Sequence, residues 1–358
     1  MMTSCIDLFC GAGGLTHGLA QAGLGIVAGI DLDPACCYPF ETNNDAPFFE
    51  RDVAKLEGEE VGALFTPGSV TVLAGCAPCQ PFSTYSQRYE NRLGGDWGLL
   101  YEFERLINEV TPDIVTMENV PSVERHEVFT DFVDGLEELG YQVSYGVVNC
   151  ADYGVPQSRN RMVLLASRFG PIQMIAPLLG ADGHKTVRDA IDELPAITAG
   201  VPPQKDVMHV SSRLSDKNMA RIRASKPGGT WRDWPRELVA DCHKADTGRT
   251  FPAVYGRMEW DKPAPTITTQ CYGFGNGRFG HPEQDRAISL REAAVLQGFP
   301  RDYRFVPPER PVPFKSTGRL IGNAVPVDLG RAIGQSIVQH LQEYDAVVQE
   351  IVDQATNR

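Results

Sequence analysis

The chain has 358 residues, 42% of them hydrophobic and 22% charged, with nine cysteines and a formal net charge of −13. This is the composition of a soluble globular protein with room for two domains, and it excludes disordered, fibrous and collagen-like chains. No run approaches the roughly 18 consecutive apolar residues of a membrane helix. The opening Met1-Met2-Thr3-Ser4-Cys5 lacks the basic and apolar regions of a secretory signal. An odd number of cysteines, with Cys36 and Cys37 adjacent, does not fit a disulfide framework. Reduced thiols in a cytoplasmic compartment, and no membrane partner, are expected.

In chain order, Cys5-Ile6-Asp7-Leu8-Phe9 predicts a strand, a glycine-rich turn follows, and Leu15 to Ala22 predicts a helix. Gly25 to Ile30 predicts a second strand, with Pro34 placed as the first residue of the next helix. The runs Val70 to Ala74, Asp113 to Met117 and Met162 to Ala166 are almost wholly apolar. They fit strands of a parallel sheet covered on both faces. The alternation of strand and helix predicts a doubly wound α/β domain. After Phe169-Gly170-Pro171 the periodicity fades, and residues 171–285, rich in Pro, Gly, His and Arg, predict a second, smaller and irregular domain. Helical periodicity returns from Val325 to Gln349 through Leu329, Ile333, Ile337 and Leu341, as a helix packing back on the first domain. The expected division is 1–172, 173–300 and a returning C-terminal segment 301–358.

Charge is divided unevenly between these parts. Residues 1–150 carry 6 Lys and Arg against 23 Asp and Glu, whereas residues 205–262 carry 12 against 8. An acidic half and a locally basic segment suggest two jobs on one chain.

Candidate chemistry gathers at strand ends. Asp7-Leu8-Phe9-Cys10-Gly11-Ala12-Gly13-Gly14 lies between a strand and a helix, where glycines allow close approach of a ligand to an electropositive helix start. Asp31, at the end of the second strand, is placed to accept hydrogen bonds from ribose hydroxyls. The third glycine of a dinucleotide fingerprint is missing, which disfavours a nicotinamide enzyme. Gly75-Cys76-Ala77-Pro78-Cys79-Gln80-Pro81-Phe82-Ser83 follows the third strand directly. Its C-x-x-C spacing admits a redox pair or half a zinc site, but no second cysteine or histidine cluster completes a metal set. One nucleophilic thiol held between two prolines is the more useful reading. Glu118-Asn119-Val120 closes the next strand, as either a solvated end or a buried acid. In Gln157-Ser158-Arg159-Asn160-Arg161, arginines two apart on extended chain would face one shared target.

Taken in order, these segments, together with Arg286-x5-Glu292, Leu296-Gln297-Gly298-Phe299-Pro300 and Gly322-Asn323-Ala324-Val325-Pro326, resemble the DNA (cytosine-5) methyltransferase family. The resemblance covers residues 5–170 and 263–330. It leaves 171–262 unmatched, where the family carries its target recognition domain. It implies a doubly wound, Rossmann-like methyltransferase sheet with a smaller recognition domain, acting as a monomer on double-stranded DNA. The compact size, with a single catalytic domain, suggests a bacterial or phage enzyme, for which a cognate restriction endonuclease is a candidate functional partner. No Cys-Phe-Thr element of the tRNA-acting relatives is present.

The resemblance also implies roles. Cys79 is the nucleophile that adds to C6 of a flipped-out cytosine, Glu118 contacts the N3 edge, and Arg159 and Arg161 lie near O2 and the thiolate. S-adenosylmethionine is the methyl donor, with no metal. Phe9 lies on the adenine and Gly11, Gly13 and Gly14 admit the donor. Asp31 binds the ribose, with Leu32 in place of the family's larger side chain. Asp52 with Val53 reads the adenine amine, Pro78 lies alongside, and Asn323 and Val325 close over the methionine end. Gln80, Ser83 and Arg88 are expected at DNA from the catalytic loop, and Arg221, Arg223 and Arg232 from the small domain. The loop departs from the family at Gly94-Gly95-Asp96-Trp97-Gly98, where an arginine is usual.

Overall fold

The computed structural model describes residues 1–78, 98–202, 205–244 and 250–356. They divide into two compact units. One comprises Met1–Tyr153, Asn160–Leu178 and Val325–Arg358, the other Gly154–Arg159 and Leu179–Ala324. The chain thus rejoins the first unit at Val325, and the expected junction at 300/301 falls inside the second.

The first unit is a seven-stranded sheet, β1 (Thr3–Leu8), β2 (Ile26–Asp31), β3 (Phe48–Glu50), β4 (Val70–Gly75), β5 (Ile114–Asn119), β6 (Gln142–Asn149) and β7 (Asn160–Ser167), in the order β3-β2-β1-β4-β5-β7-β6. Helices α1 (Gly14–Gln21), α2 (Cys37–Asn44), α3 (Gly58–Gly62), α4 (Gly98–Val110) and α5 (Glu127–Glu138) join the strands. The five strands β1 to β5 pair in parallel. The core is what the apolar runs require. Ile6, Leu8, Ile30, Leu73, Val115, Met117 and Leu164 are buried between strands and helices, with Phe103 of α4 and Phe132 of α5 packed over them.

Two expectations change. Pro34 opens a short 3-10 turn, Pro34–Cys36, whose start is capped by Asp33, and the α-helix begins only at Cys37. More important, β7 runs antiparallel to both β5 and β6, so the sheet is mixed. A fully apolar strand reads the same in either direction. The connection decides, and the short link from Asn149 to Asn160 returns the chain as a hairpin-like pair, since a parallel partner would need a long crossover.

The second unit holds short helices, α6 (Val187–Ile191), α7 (Asp216–Ala224), α8 (Asp241–Lys244), α9 (Leu290–Leu296) and α10 (Phe314–Asn323), separated by 3-10 turns and irregular chain. With little ladder pairing, its backbone carbonyls are collected by buried arginines. Arg257 donates to Ile222, Ser225, His281 and Gln284 carbonyls. Arg286 makes a bidentate pair with Glu292, both bonds 2.7 Å, and Glu292 also completes the Ser289 capping box that starts α9. Gln157 bonds the Leu296 carbonyl, the Gln297 side chain and the Ile267 amide. Arg286, Glu292 and Gln297, the polar residues of the motif from Arg286 to Pro300, thus act with Arg257 and Gln157 as internal struts.

A thirty-residue helix, α11 (Val327–Thr356), returns to the first unit and lies against α1. The approach is close because glycines face each other. A Cβ on Gly18 would sit 2.3 Å from the Val327 carbonyl oxygen and 2.4 Å from the Arg331 nitrogen, and one on Gly330 2.9 Å from the Leu15 carbonyl oxygen. Alanine normally favours a helix interior over glycine by ~1 kcal/mol. Here the sign reverses: Gly18→Ala should destabilise the chain by about 1–3 kcal/mol through overpacking. Gly62→Ala, whose Cβ would meet nothing within 4 Å, should be neutral or slightly stabilising. Denaturant unfolding of both variants checks the contrast, and an unchanged midpoint for Gly18→Ala would contradict the close packing.

Candidate active site

In the parallel part of the sheet, the C-terminal ends of β1, β2, β4 and β5 share one edge. Loops from that edge carry the residues selected from sequence. After β1 the chain reverses through three left-handed residues, Phe9 (φ 57), Gly11 (φ 54) and Gly13 (φ 85). Gly13 is the N-cap of α1 and no side chain caps that helix. A left-handed phenylalanine is uncommon and carries backbone strain. Asp31 holds the turn from β2: its Oδ2 accepts from the Gly11 amide and its Oδ1 from the Asp33 amide, each at 2.9 Å. Leu32 beside it is 63% exposed. Asp52 caps the turn that begins at Val53 and lies 3.4 Å from the Lys55 ammonium. Val53 is buried in the core, Pro78 is exposed, and Val325 is buried in this unit.

Beneath the glycine turn lies Asp7, fully buried. Its Oδ2 accepts from Thr16 Oγ1 at 2.5 Å, while its Oδ1 has no hydrogen-bond partner. Burial, reinforced by the charge of Asp31, pushes this carboxyl up to about 7, against the opposing hydrogen bond from Thr16.

The reacting end is built by β4, β5 and β7. Glu118, on β5, is 4% exposed. Its Oε2 accepts from the Cys76 thiol at 3.0 Å, and its Oε1 lies 2.8 Å from Arg161 Nε. Yet Oε1 accepts no hydrogen bond of acceptable geometry, so the contact with Arg161 is an ion pair rather than an aligned bond. The antiparallel register makes this meeting possible. Glu118 pairs with Val163 and Asn119 with Met162, so β7 enters the sheet where β5 leaves it. Arg161, 13% exposed, arrives at the catalytic edge instead of the opposite one. Asn119 ties the strands' loops together, donating to the Ala77 carbonyl at 3.4 Å and accepting from the Val120 amide.

Other expectations are redistributed. Arg159 and Arg161 are held by different groups. Arg159 precedes β7, so the alternation of a strand does not apply to it; it is buried in the second unit, donating to the Ile267 and Gly322 carbonyls at 2.9 and 3.1 Å. Asn323 ends α10 in that unit. Arg221 is also interior: its guanidinium donates to the Leu238 carbonyl and Asn218 and lies over the rings of Tyr255 and Trp234 at 5.1 and 5.9 Å. A helix end surrounded by aromatic faces holds that cation away from solvent. Arg223 is exposed and pairs with Asp285, and exposed Arg232 lies over Trp231. Cys79, Gln80, Ser83 and Arg88 lie outside the described residues. Sequence reasoning passed over Asp7, and it treated Cys76 as a bystander although it stands three residues from Cys79. Among the described residues no group of three His, Cys, Asp or Glu could hold a metal, and no helix is long and apolar enough to cross a membrane.

This arrangement of glycine turn, strand-end acids and arginine-paired glutamate defines a class. The model of the C-5 cytosine-specific DNA methylase family matches residues 3–339, and the chain belongs to that family. Among individual relatives, it is 55% identical over 345 residues to the Type II methylase M.HgiDII of Herpetosiphon aurantiacus, covering 96% of this chain and 97% of the relative. It is 31% identical to the Type II methyltransferase M.Eco47II of Escherichia coli, over 94% of this chain and 79% of the relative. Its fold is similar to a crystal structure of a DNA modification methyltransferase encoded within an E. coli prophage, with a TM-score of 0.69 and 22% identity over 95% of this chain and 99% of that one.

Asp7 generates a pH prediction. Between about pH 4 and pH 7 the folded chain keeps a proton that the unfolded chain has lost, so stability falls as pH rises through that window and Asp7 takes no more above it. Asp7→Asn, which retains an acceptor for Thr16, should flatten this part of the profile and gain most relative to the parent at pH 8. Urea midpoints at pH 4.5 and pH 8 measure it. A parent-to-variant difference independent of pH would show that Asp7 titrates normally.

Proposed function

We propose that this protein transfers a methyl group from S-adenosylmethionine to C5 of a cytosine flipped out of double-stranded DNA, within a short specific sequence. The observation that carries this reading is the buried Glu118, one oxygen held by Cys76 and the other facing Arg161 without a hydrogen bond of its own. Such an oxygen suits the N3 and amine edge of a base that must leave the helix to reach it.

The residues present fit the donor. A Cβ on left-handed Gly11 would meet nothing within 4 Å, and Asp31 is already oriented by two backbone amides. Asp31 would hold the ribose, Phe9 and Leu32 the adenine, and Gly11, Gly13 and Gly14 the approach to the uncapped start of α1. Val53 and Pro78 would line the pocket, Asp52 would read the adenine amine, and Asn323 and Val325 would cover the methionine end. When bound, S-adenosylmethionine supplies an electrophilic methyl group.

C5 of cytosine is a poor nucleophile, and the chain's own groups would correct that. The Cys79 thiolate adds to C6, forming a C–S bond and breaking the ring's aromaticity. A proton shared between Glu118 and N3 moves onto N3 as the thiolate arrives, draining charge from the ring, and returns to Glu118 when the sulfur departs. C5 becomes enamine-like and takes the methyl group. Loss of the C5 proton and departure of the Cys79 sulfur restore the aromatic ring. Arg161 balances the charge left on Glu118 as the proton moves to N3. Arg159 acts at one remove, fixing the Ile267 and Gly322 segments by their carbonyls.

DNA would be read by the second unit, whose segment 205–262 is locally basic, with Arg223 and Arg232 as base or phosphate contacts and Arg221 as their internal support. Gln80, Ser83 and Arg88 would contact the strand from the catalytic loop. The Type II names of the bacterial relatives support a restriction endonuclease as functional partner, and a monomer working in the cytoplasm completes the reading.

Bisulfite sequencing of DNA from cells expressing the protein should reveal one short methylated sequence. Cys79→Ser should abolish methylation yet retain S-adenosylmethionine binding, because a hydroxyl is far less ionised than a thiol near pH 7. Glu118→Gln should slow single turnover by about 10²–10⁴-fold, with a smaller loss of DNA affinity. Cys79→Ser turning over within about tenfold of the parent would remove the covalent mechanism.

A further inference from the structure

The chain carries a second thiol at the reacting edge, and nothing in the mechanism above requires it to be there. Cys76 leaves the end of β4, and its Sγ lies 3.0 Å from Glu118 Oε2, close for a hydrogen bond to sulfur. Cys76 is only half-buried, whereas Glu118 is buried. A buried carboxylate with one oxygen against an arginine would otherwise be free to rotate about its terminal torsion, which is broad and roughly two-fold. A half-turn merely exchanges two equivalent oxygens, but any smaller rotation would tilt the carboxylate plane and lift its oxygen away from Arg161.

We propose that Cys76 is a positioning residue for Glu118, its thiol proton directed at Oε2 so that Oε1 is the oxygen presented to the base. Three observations support this role. Arg161 approaches from β7 and Cys76 from β4, so the carboxylate is held between the two strands that flank β5. Among the described residues Oε1 makes no hydrogen bond, leaving acceptor capacity to a ligand. The loop carrying Cys76 is itself fixed to β5, because Asn119 donates to the carbonyl of Ala77. That tie holds the backbone from which the thiol projects. Cys76 forms no bond to substrate and transfers no electron; its whole contribution is the orientation of a neighbour.

This role rests on the methyltransferase reading, and the experiment separates the two. Single-turnover methylation is measured with a duplex containing the sequence found by bisulfite sequencing, alongside the Michaelis constants for DNA and S-adenosylmethionine. Cys76→Ala removes the donor. It should lower the single-turnover rate by about 10- to 100-fold, the usual cost of losing a hydrogen bond to a charged group, with both Michaelis constants unchanged. Cys76→Ser keeps a donor and should recover most of the rate, although its hydroxyl lies farther from Oε2. A thermal midpoint for each variant accounts for packing. Were Cys76 only a filler of space, alanine and serine would behave alike, or the loss would appear in binding and stability rather than in the rate of the bound complex. Equal rates for parent and Cys76→Ala, or equal losses for alanine and serine, would overturn the proposal. A parent chain that methylates no duplex would instead remove the function on which it rests.

Discussion

The site depends on an ion pair that forms only because one strand runs backwards. In a wholly parallel sheet, the residue that opens a strand and the residue that closes its neighbour lie at opposite edges, a strand's length apart. Here β7 is antiparallel to β5, so its opening Arg161 and the closing Glu118 come within 2.8 Å. Removing two charges from water is costly, and the attraction between them repays it only when the geometry is good. A pair of this kind adds little to stability. Its effect is to hold a buried carboxylate in one orientation at this edge of the sheet.

The rest of the first unit serves that edge. Glycines let α1 and α11 approach closely enough to brace the helix whose start faces the ligand turn. Asp31 holds the same turn through Gly11 with one carboxylate oxygen and the chain leaving β2 through Asp33 with the other. The strained Phe9 and the Oδ1 of Asp7, without a hydrogen bond among the described residues, are departures from what stability alone would select, and they lie in and directly beneath the glycine turn. The second unit follows another logic. Irregular chain leaves many carbonyls unpaired by a ladder, and Arg159, Arg257, Arg286 and Arg291 collect them or fix nearby acids from the interior. Arginine in such a unit is framework as well as contact surface.

Much of this was legible in the sequence. The apolar runs gave β1, β2, β4, β5 and β7 to within two residues at either end, because strands covered on both faces need nothing but apolar side chains. The glycine turn, Asp31 and Glu118 were legible because their positions at strand ends follow from the same runs. Strand direction was not, since Met162 to Ala166 is apolar whichever way it runs. β6 was missed because its apolar residues do not mark a buried face: Tyr145 and Val147 are among the exposed ones. Arg221 was misread because composition counts a charge without saying which way it points, and its aromatic partners, Trp234 and Tyr255, are distant in sequence. Cys76 was discounted as the lesser half of a pair, and its partner Glu118 lies 42 residues away.

The most direct test of the central claim is a double-mutant cycle on Glu118 and Arg161, read by single-turnover methyl transfer. Glu118→Gln and Arg161→Met each remove one side of the ion pair. If the reversed strand exists to couple them, the double variant should be little slower than the slower single variant, a coupling of at least about 1 kcal/mol in the barrier. If the two losses add to within ~0.5 kcal/mol, the residues act independently, and the antiparallel register is not what makes the site.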